Sequence, residues 1–301
     1  MKLLELRRYC TDMASDMADG KAARMITRHV NAALEQVASS HEWSFLRDRA
    51  QIALEAPATG SALGVVQGSD QFTLTGEVWL QTWIDEKREL LVSGDDGILF
   101  RFDALLSPTV ARMTQEWVEA TDTVTTYTLL RGIYPLPANT SVVTEVRLAD
   151  SRQVLVPLSP EEFDFRKQEQ VTTQADPLYF TVRGDELEIW PTPEEAKMLL
   201  LSRKRVPALV TDASPDTTLI DWPDRFGSLL YRALDVQVVT NHAKSTSLEP
   251  SLALAAFQSA LARAKDTDGG RQPGPRDFTL GRGMTWRDRD RLAAQRGRVE
   301  S

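Results

Sequence analysis

The chain is 301 residues long, 42% apolar and 26% charged, a composition that suits a globular protein of one large domain or two ordinary ones. Its net charge is −8, yet eight arginines against three aspartates and one glutamate make residues 271–301 +4, leaving −12 on the rest. A body of that sign repels phosphate, the single Cys10 excludes an internal disulfide or a cysteine metal pair, and no apolar run reads as a signal peptide or a membrane span.

Leu3, Leu6, Cys10, Met13 and Met17 recur at steps of three and four, the buried stripe of an amphipathic helix. Asp19-Gly20 reads as its stop, and Ile26, Val30, Ala33, Leu34 and Val37 form a second stripe ending near His41. The two predict an antiparallel helical hairpin over 1–48, with Trp43, Phe45 and Leu46 plugging its end or joining it to the next module.

From about Ala50 the pattern changes to short alternating or β-branched runs separated by Gly, Pro, Asn and Asp, which predicts antiparallel strands. The runs are 71–76, 88–93, 98–102, 123–130, 141–148, 178–183 and 186–191. Ser93-Gly94-Asp95-Asp96-Gly97 and Arg183-Gly184-Asp185-Glu186 supply turn residues that tolerate positive φ. Ser159-Pro160-Glu161-Glu162 sets a capping serine before a proline at the first helical position. It predicts one short helix near 160–168, inside a β region spanning 49–212.

Beyond Asp212 the helical period returns. Phe226, Leu229, Leu230, Ala233 and Val236 share one face, then Leu254, Phe257, Leu261 and Ala264 another, with Asp221 capping the first helix and Ser247 with Pro250 opening the second. This second hairpin, over 213–268, completes a bundle with the first. The expected fold is α+β: a helical bundle formed by N- and C-terminal hairpins, an inserted antiparallel β lobe, and an extended C-terminal tail.

That tail, 269–301, holds too much Gly, Pro and Arg and too few apolar residues to build a core. Phe278, Leu280, Met284 and Trp286 are nonetheless spaced among Arg282, Arg287, Arg289 and Arg291, and large apolar anchors flanked by arginine suit a segment that orders against a partner. Asp288 and Asp290 alternate with those arginines, which favours a protein partner over bare phosphate because an interface can pair both signs. A solvated end and an arm folded back on its own subunit are the competing readings.

Catalytic chemistry finds little support. His29, His41 and His242 lack metal-ligand spacing, Asp95-Asp96 reads as a hairpin turn, and Glu161, Glu162 and Asp164 answer to the dipole at a helix start. No phosphate loop, nucleophile elbow or dinucleotide fingerprint is present. The chain is therefore expected to be no enzyme and to use no metal or cofactor.

Several landmarks follow one another in a telling order: WSFL at Trp43, VVQGSDQFTLTG from Val65 to Gly76, YPLP at Tyr134, PLYFTVRGDELEIWPTP from Pro177, and LLLSRKRVPALVTD from Leu199 to Asp212, before a terminal helical pair. Together, over residues 1–265, they resemble the head-to-tail adaptor proteins of tailed bacteriophages. The resemblance implies a virion neck protein, assembled in the bacterial host cytoplasm with no membrane partner. Such adaptors form rings, typically of twelve copies with bundles side by side. Their C-terminal extension reaches the portal protein, and the β lobe faces outward or toward the next tail or nozzle component. Packaged double-stranded DNA would pass a like-charged wall without sequence-specific binding, since no counterion release rewards contact. Phe278 to Arg291 would then anchor to the portal, an inference from anchor chemistry. The arginine-rich end and the stretch from Trp79 to Glu89 depart from the family pattern. A tail-associated hydrolase using a Glu/Asp pair of the β lobe, and a DNA-binding accessory protein acting through the tail, are the alternatives.

Overall fold

A computed structural model of the protein describes residues 1–13, 22–93, 98–151, 153–169, 174–242 and 248–269. Met17, the stop at Asp19-Gly20, turn residues 94–97 with Asp95-Asp96, the Ser247 cap and the tail from residue 270 lie outside them. The helices are α1 (Leu3–Met13), α2 (Ala22–Ser39), α3 (Gln81–Asp85), α4 (Pro160–Glu169), α5 (Gly227–Asn241) and α6 (Pro250–Gly269). Two compact units divide the chain, one made of 1–46 with 206 onward, the other of 47–205.

The expected bundle of terminal hairpins with a β insertion does not describe the molecule. Among the described residues thirteen strands in three sheets outweigh six helices, two of which, α3 and α4, belong to the β-rich unit. The α+β class holds, but β structure dominates it. The excess comes from strands that the composition disguises: β1 (Arg47–Leu54) and β13 (Lys197–Arg205) are rich in charged residues, and β2 (Ala58–Val65) is mostly Ala, Gly and Ser.

In the helical unit, Leu3, Leu6 and Cys10 of α1, Ile26, Val30, Ala33, Leu34 and Val37 of α2, and Leu229, Leu230, Ala233, Leu234 and Val238 of α5 are buried in one core. Trp43 is fully buried beside Phe45, Trp222 and Phe226, and its indole N–H donates to the Val37 carbonyl at 2.7 Å. Asn31 and the Val210 backbone exchange two hydrogen bonds at 2.8 and 2.9 Å. Asp221 does not cap α5. A 3₁₀ turn, Asp224–Phe226, intervenes with Pro223 at its N-cap, and neither it nor α5 has a side-chain cap. On α6 the buried face is Ala253, Phe257 and Ala264, whereas Leu254 is 45% exposed.

The β-rich unit holds two cores. The remaining strands are β3 (Gln71–Leu74), β4 (Glu89–Val92), β5 (Leu99–Ser107), β6 (Val110–Met113), β7 (Asp122–Leu130), β8 (Ile133–Pro135), β9 (Thr140–Leu148), β10 (Val156–Pro157), β11 (Tyr179–Arg183) and β12 (Glu186–Trp190). Strands in the order β2-β3-β6-β5-β4-β7 close a barrel, whose alternate residues Leu63, Val65, Phe72, Leu90, Phe100 and Leu129 point inward. Gly60 of β2 is there for Tyr127: a Cβ would lie 2.3 Å from the tyrosine ring. The second core lies between the sheets β1-β13-β9 and β10-β11-β12-β8, filled by Ile52, Leu54, Val146, Leu148, Phe180, Leu187, Leu199 and Leu201. Gly184, with φ +59°, makes the tight turn from β11 to β12, and Ser159 Oγ accepts the Glu162 N–H at 3.2 Å to start α4.

Candidate functional site

Phe278, Leu280, Arg282, Met284, Trp286, Arg287, Arg289 and Arg291 lie outside the described residues. What the structure does show is the root from which they extend. Asp268, in the last turn of α6, is fully buried. Its carboxylate accepts the Ser44 N–H at 2.9 Å and also the Ser44 hydroxyl, with His41 Nε2 3.5 Å and Arg225 Nη2 3.8 Å away. A buried carboxylate is tolerated only with such company, and this one ties the end of α6 to the segment after α2.

Alongside that root, α5 and α6 enclose a groove of about 400 Å³. Phe226, Leu229, Ala256, Ala260 and Ala264 give it an apolar floor, while Arg225, Arg232 and Arg263 stand among its lining and no carboxylate does. The Arg225 guanidinium stacks 4.7 Å over the Phe226 ring, and Arg232 donates to the buried Asp235 at 2.9 Å, which holds both forks in place. Sequence reasoning passed over these arginines. The seven-residue step from Arg225 to Arg232, two helical turns, was the available signal.

The β-rich unit contains the buried carboxylates that a hydrolase would need, and each is already paired. Glu89 is 3% exposed and takes Lys167 Nζ at 2.5 and 2.6 Å and Arg101 Nε at 2.9 Å. Glu188 has Arg183 Nε at 3.4 Å, and burial pushes its carboxyl up despite that neighbour. Asp164 of α4 holds Arg183 at 2.5 Å, so the acidic start of that helix also serves packing. Elsewhere Arg88 and Arg131 bridge Glu55 and Glu86. Held by these cations, the buried carboxylates described here are not free to act as an acid–base pair. Among the described residues no cluster of His, Cys, Asp and Glu could hold a metal, and no helix is long and apolar enough to cross a membrane.

His29 and His242, both 7% exposed, meet Nε2 to Nε2 at 3.1 Å within the helical unit. Burial, and then the neighbouring His242, hold the His29 imidazole below its ordinary range. In such a contact one ring donates and the other accepts.

A model of the SU10 adaptor protein family matches residues 80–277, well over half of the chain. This chain belongs to that family. SU10 adaptors are phage head-to-tail adaptors, and the role membership gives the chain is structural. The matched stretch of this adaptor runs from the barrel through the paired sheets, α5 and α6, and into the start of the tail. It stops one residue before Phe278, so the expected anchor residues lie beyond it. No curated protein matches the chain.

Proposed function

We propose that this adaptor docks beneath the portal as a ring of about twelve copies, extends the DNA channel and presents the surface to which the next tail or nozzle component attaches. The observation that carries the reading is the family match over 80–277. The charge division supports the rest: an acidic body of −12 gives duplex DNA no phosphate-binding wall, while the +4 tail with its apolar anchors suits a protein partner. The tail is the portal anchor in this account, with Phe278, Leu280, Met284 and Trp286 as the buried side chains and Arg282, Arg287, Arg289 and Arg291 fixing register. Coupling tail ordering to portal binding would keep free subunits soluble until the particle assembles in the host cytoplasm.

The test is direct. Full-length chain mixed with purified portal should form a ring visible by electron microscopy, and a chain ending at Gly270 should remain folded without binding portal. Trp286→Ala should weaken attachment by about 2 kcal/mol or more. Portal binding by the truncated chain would reject the tail as anchor, and a particle of single copies would reject the ring.

A further inference from the structure

The sheet β1-β13-β9 turns one face to its core and the other to solvent. Ile52, Leu54, Leu199 and Leu201 point inward, so the alternate positions Arg47, Arg49, Lys204, Leu200 and Met198 point out. On that outer face Arg47 stands directly opposite Lys204, and Arg49 follows two residues along β1, about 7 Å away. We infer that this face docks an acidic patch on the next tail component, which deepens the neck role proposed above and rests on it.

Unpaired cations set the face apart. Residues 47–205 hold 25 carboxylates against 16 lysines and arginines. Among the described lysines and arginines of that stretch, the side chains of Arg49 and Lys204 alone have no partner. The others are held, as Lys87 is by Glu186, Arg112 by Asp103, Lys197 by Asp176 and Arg203 by Asp48. A unit with carboxylates to spare thus leaves two cations open, and both lie on one face of one strand pair. Like charges directly opposite each other across two strands also cost stability, and Lys204 facing Arg47 has no carboxylate of its own to relieve this. A carboxylate brought by a partner would relieve it.

The apolar part of the face selects the class of partner. Val142, 50% exposed, is the neighbour of Lys204 on β9, and Leu200 and the 39% exposed Met198 continue the face along β13. Phosphate gains nothing from these side chains, and a duplex running past so small a basic patch meets the acidic surface of a body at −12. A protein surface that sets carboxylates beside apolar side chains fits both halves of the face. With the portal given to the chain's own C-terminal tail, the β-rich unit is left for the next tail component.

The test uses the full chain and phage tails detached from virions of the same phage. Co-sedimentation should show the wild type bound to those tails, with affinity falling as salt rises, and Arg49→Glu combined with Lys204→Glu should weaken binding about tenfold or more. The double variant should still form rings on portal. It should also unfold at no lower denaturant concentration than the wild type, since Lys204→Glu sets an opposite charge across from Arg47. The neutral combination Arg49→Gln with Lys204→Gln should bind with intermediate affinity. Tail binding that both combinations leave unchanged would overturn the docking surface. Loss of the ring in the double variant would make the face a contact between copies, and duplex DNA held by the wild type but not by the double variant would make it a nucleic-acid site; either result rejects the inference. A wild type that forms no ring on portal would reject the neck role alone, because binding to detached tails is read without it.

Discussion

The fold opposes protonation of His29. Burial and the facing His242 lower its proton affinity in the native state, so the unfolded chain takes up the proton first, near pH 6.5. Stability is therefore complete above that pH and declines as the pH falls toward the lower native value. Denaturant unfolding measured between about pH 7 and 5 should show this decline in the wild type and a flatter profile in His29→Gln. Equal slopes would show that the pair does not control acid stability. At this scale the sequence was a good guide wherever a stripe was long: every apolar residue assigned to α2 from Ile26 to Val37 is buried. It failed where small residues do the packing. Leu254 was read as one of the core positions of α6 with Phe257 and Ala264, which are buried, but it is 45% exposed and the neighbouring Ala253 is buried instead. Asp221 failed as a cap for a different reason, since Pro223 diverts the chain into a 3₁₀ turn before α5 begins.

At the scale of elements, Asp268 ties the end of α6 to the segment after α2. Asp268→Ala would strip acceptors from the Ser44 N–H and hydroxyl and leave Arg225 and His41 without their carboxylate. A loss of about 2 kcal/mol is expected in denaturant unfolding, with faster hydrogen exchange in the last turn of α6 and unchanged protection in the middle of α5. Exchange that stays slow in that turn would show that packing, not Asp268, fixes it. The seven strand runs read from the sequence all fall in strands, and the short helix after Ser159 forms where its cap predicts. Six other strands were not read, for physical reasons. In β1 the outward positions are Arg47, Arg49 and Gln51, so only its second half shows apolar alternation. In β2 small residues break the apolar alternation, and at Gly60 the Tyr127 ring takes the space a side chain would fill. β8 and β10 are too short to have a period.

At the scale of the whole molecule, charge is the property that the proposed role uses. A chain ending at Gly270 carries −12 and should show no affinity for duplex DNA even at about 50 mM salt, where phosphate contacts are strongest; fluorescence anisotropy would measure this. Tight binding there would overturn the idea of a channel wall that DNA slides past. The order of landmarks along the chain was enough to suggest the family, but barrel closure was hidden from it. Closure depends on β2 pairing with β7, and the flanking sheet on β13 lying between β1 and β9, partners far apart in sequence that no local pattern announces.

Chain order also sets a timetable. Residues 47–205 are one uninterrupted piece, while the helical unit is divided between the two ends of the chain. On the ribosome, α1 and α2 emerge well before α5 and must keep Leu3, Leu34 and Val37 from sticking to anything else until α5 arrives to cover them. At roughly 5–20 residues per second that wait is on the order of ten seconds. The yield of folded chain would then depend on how well chaperones shelter two greasy helices during that interval.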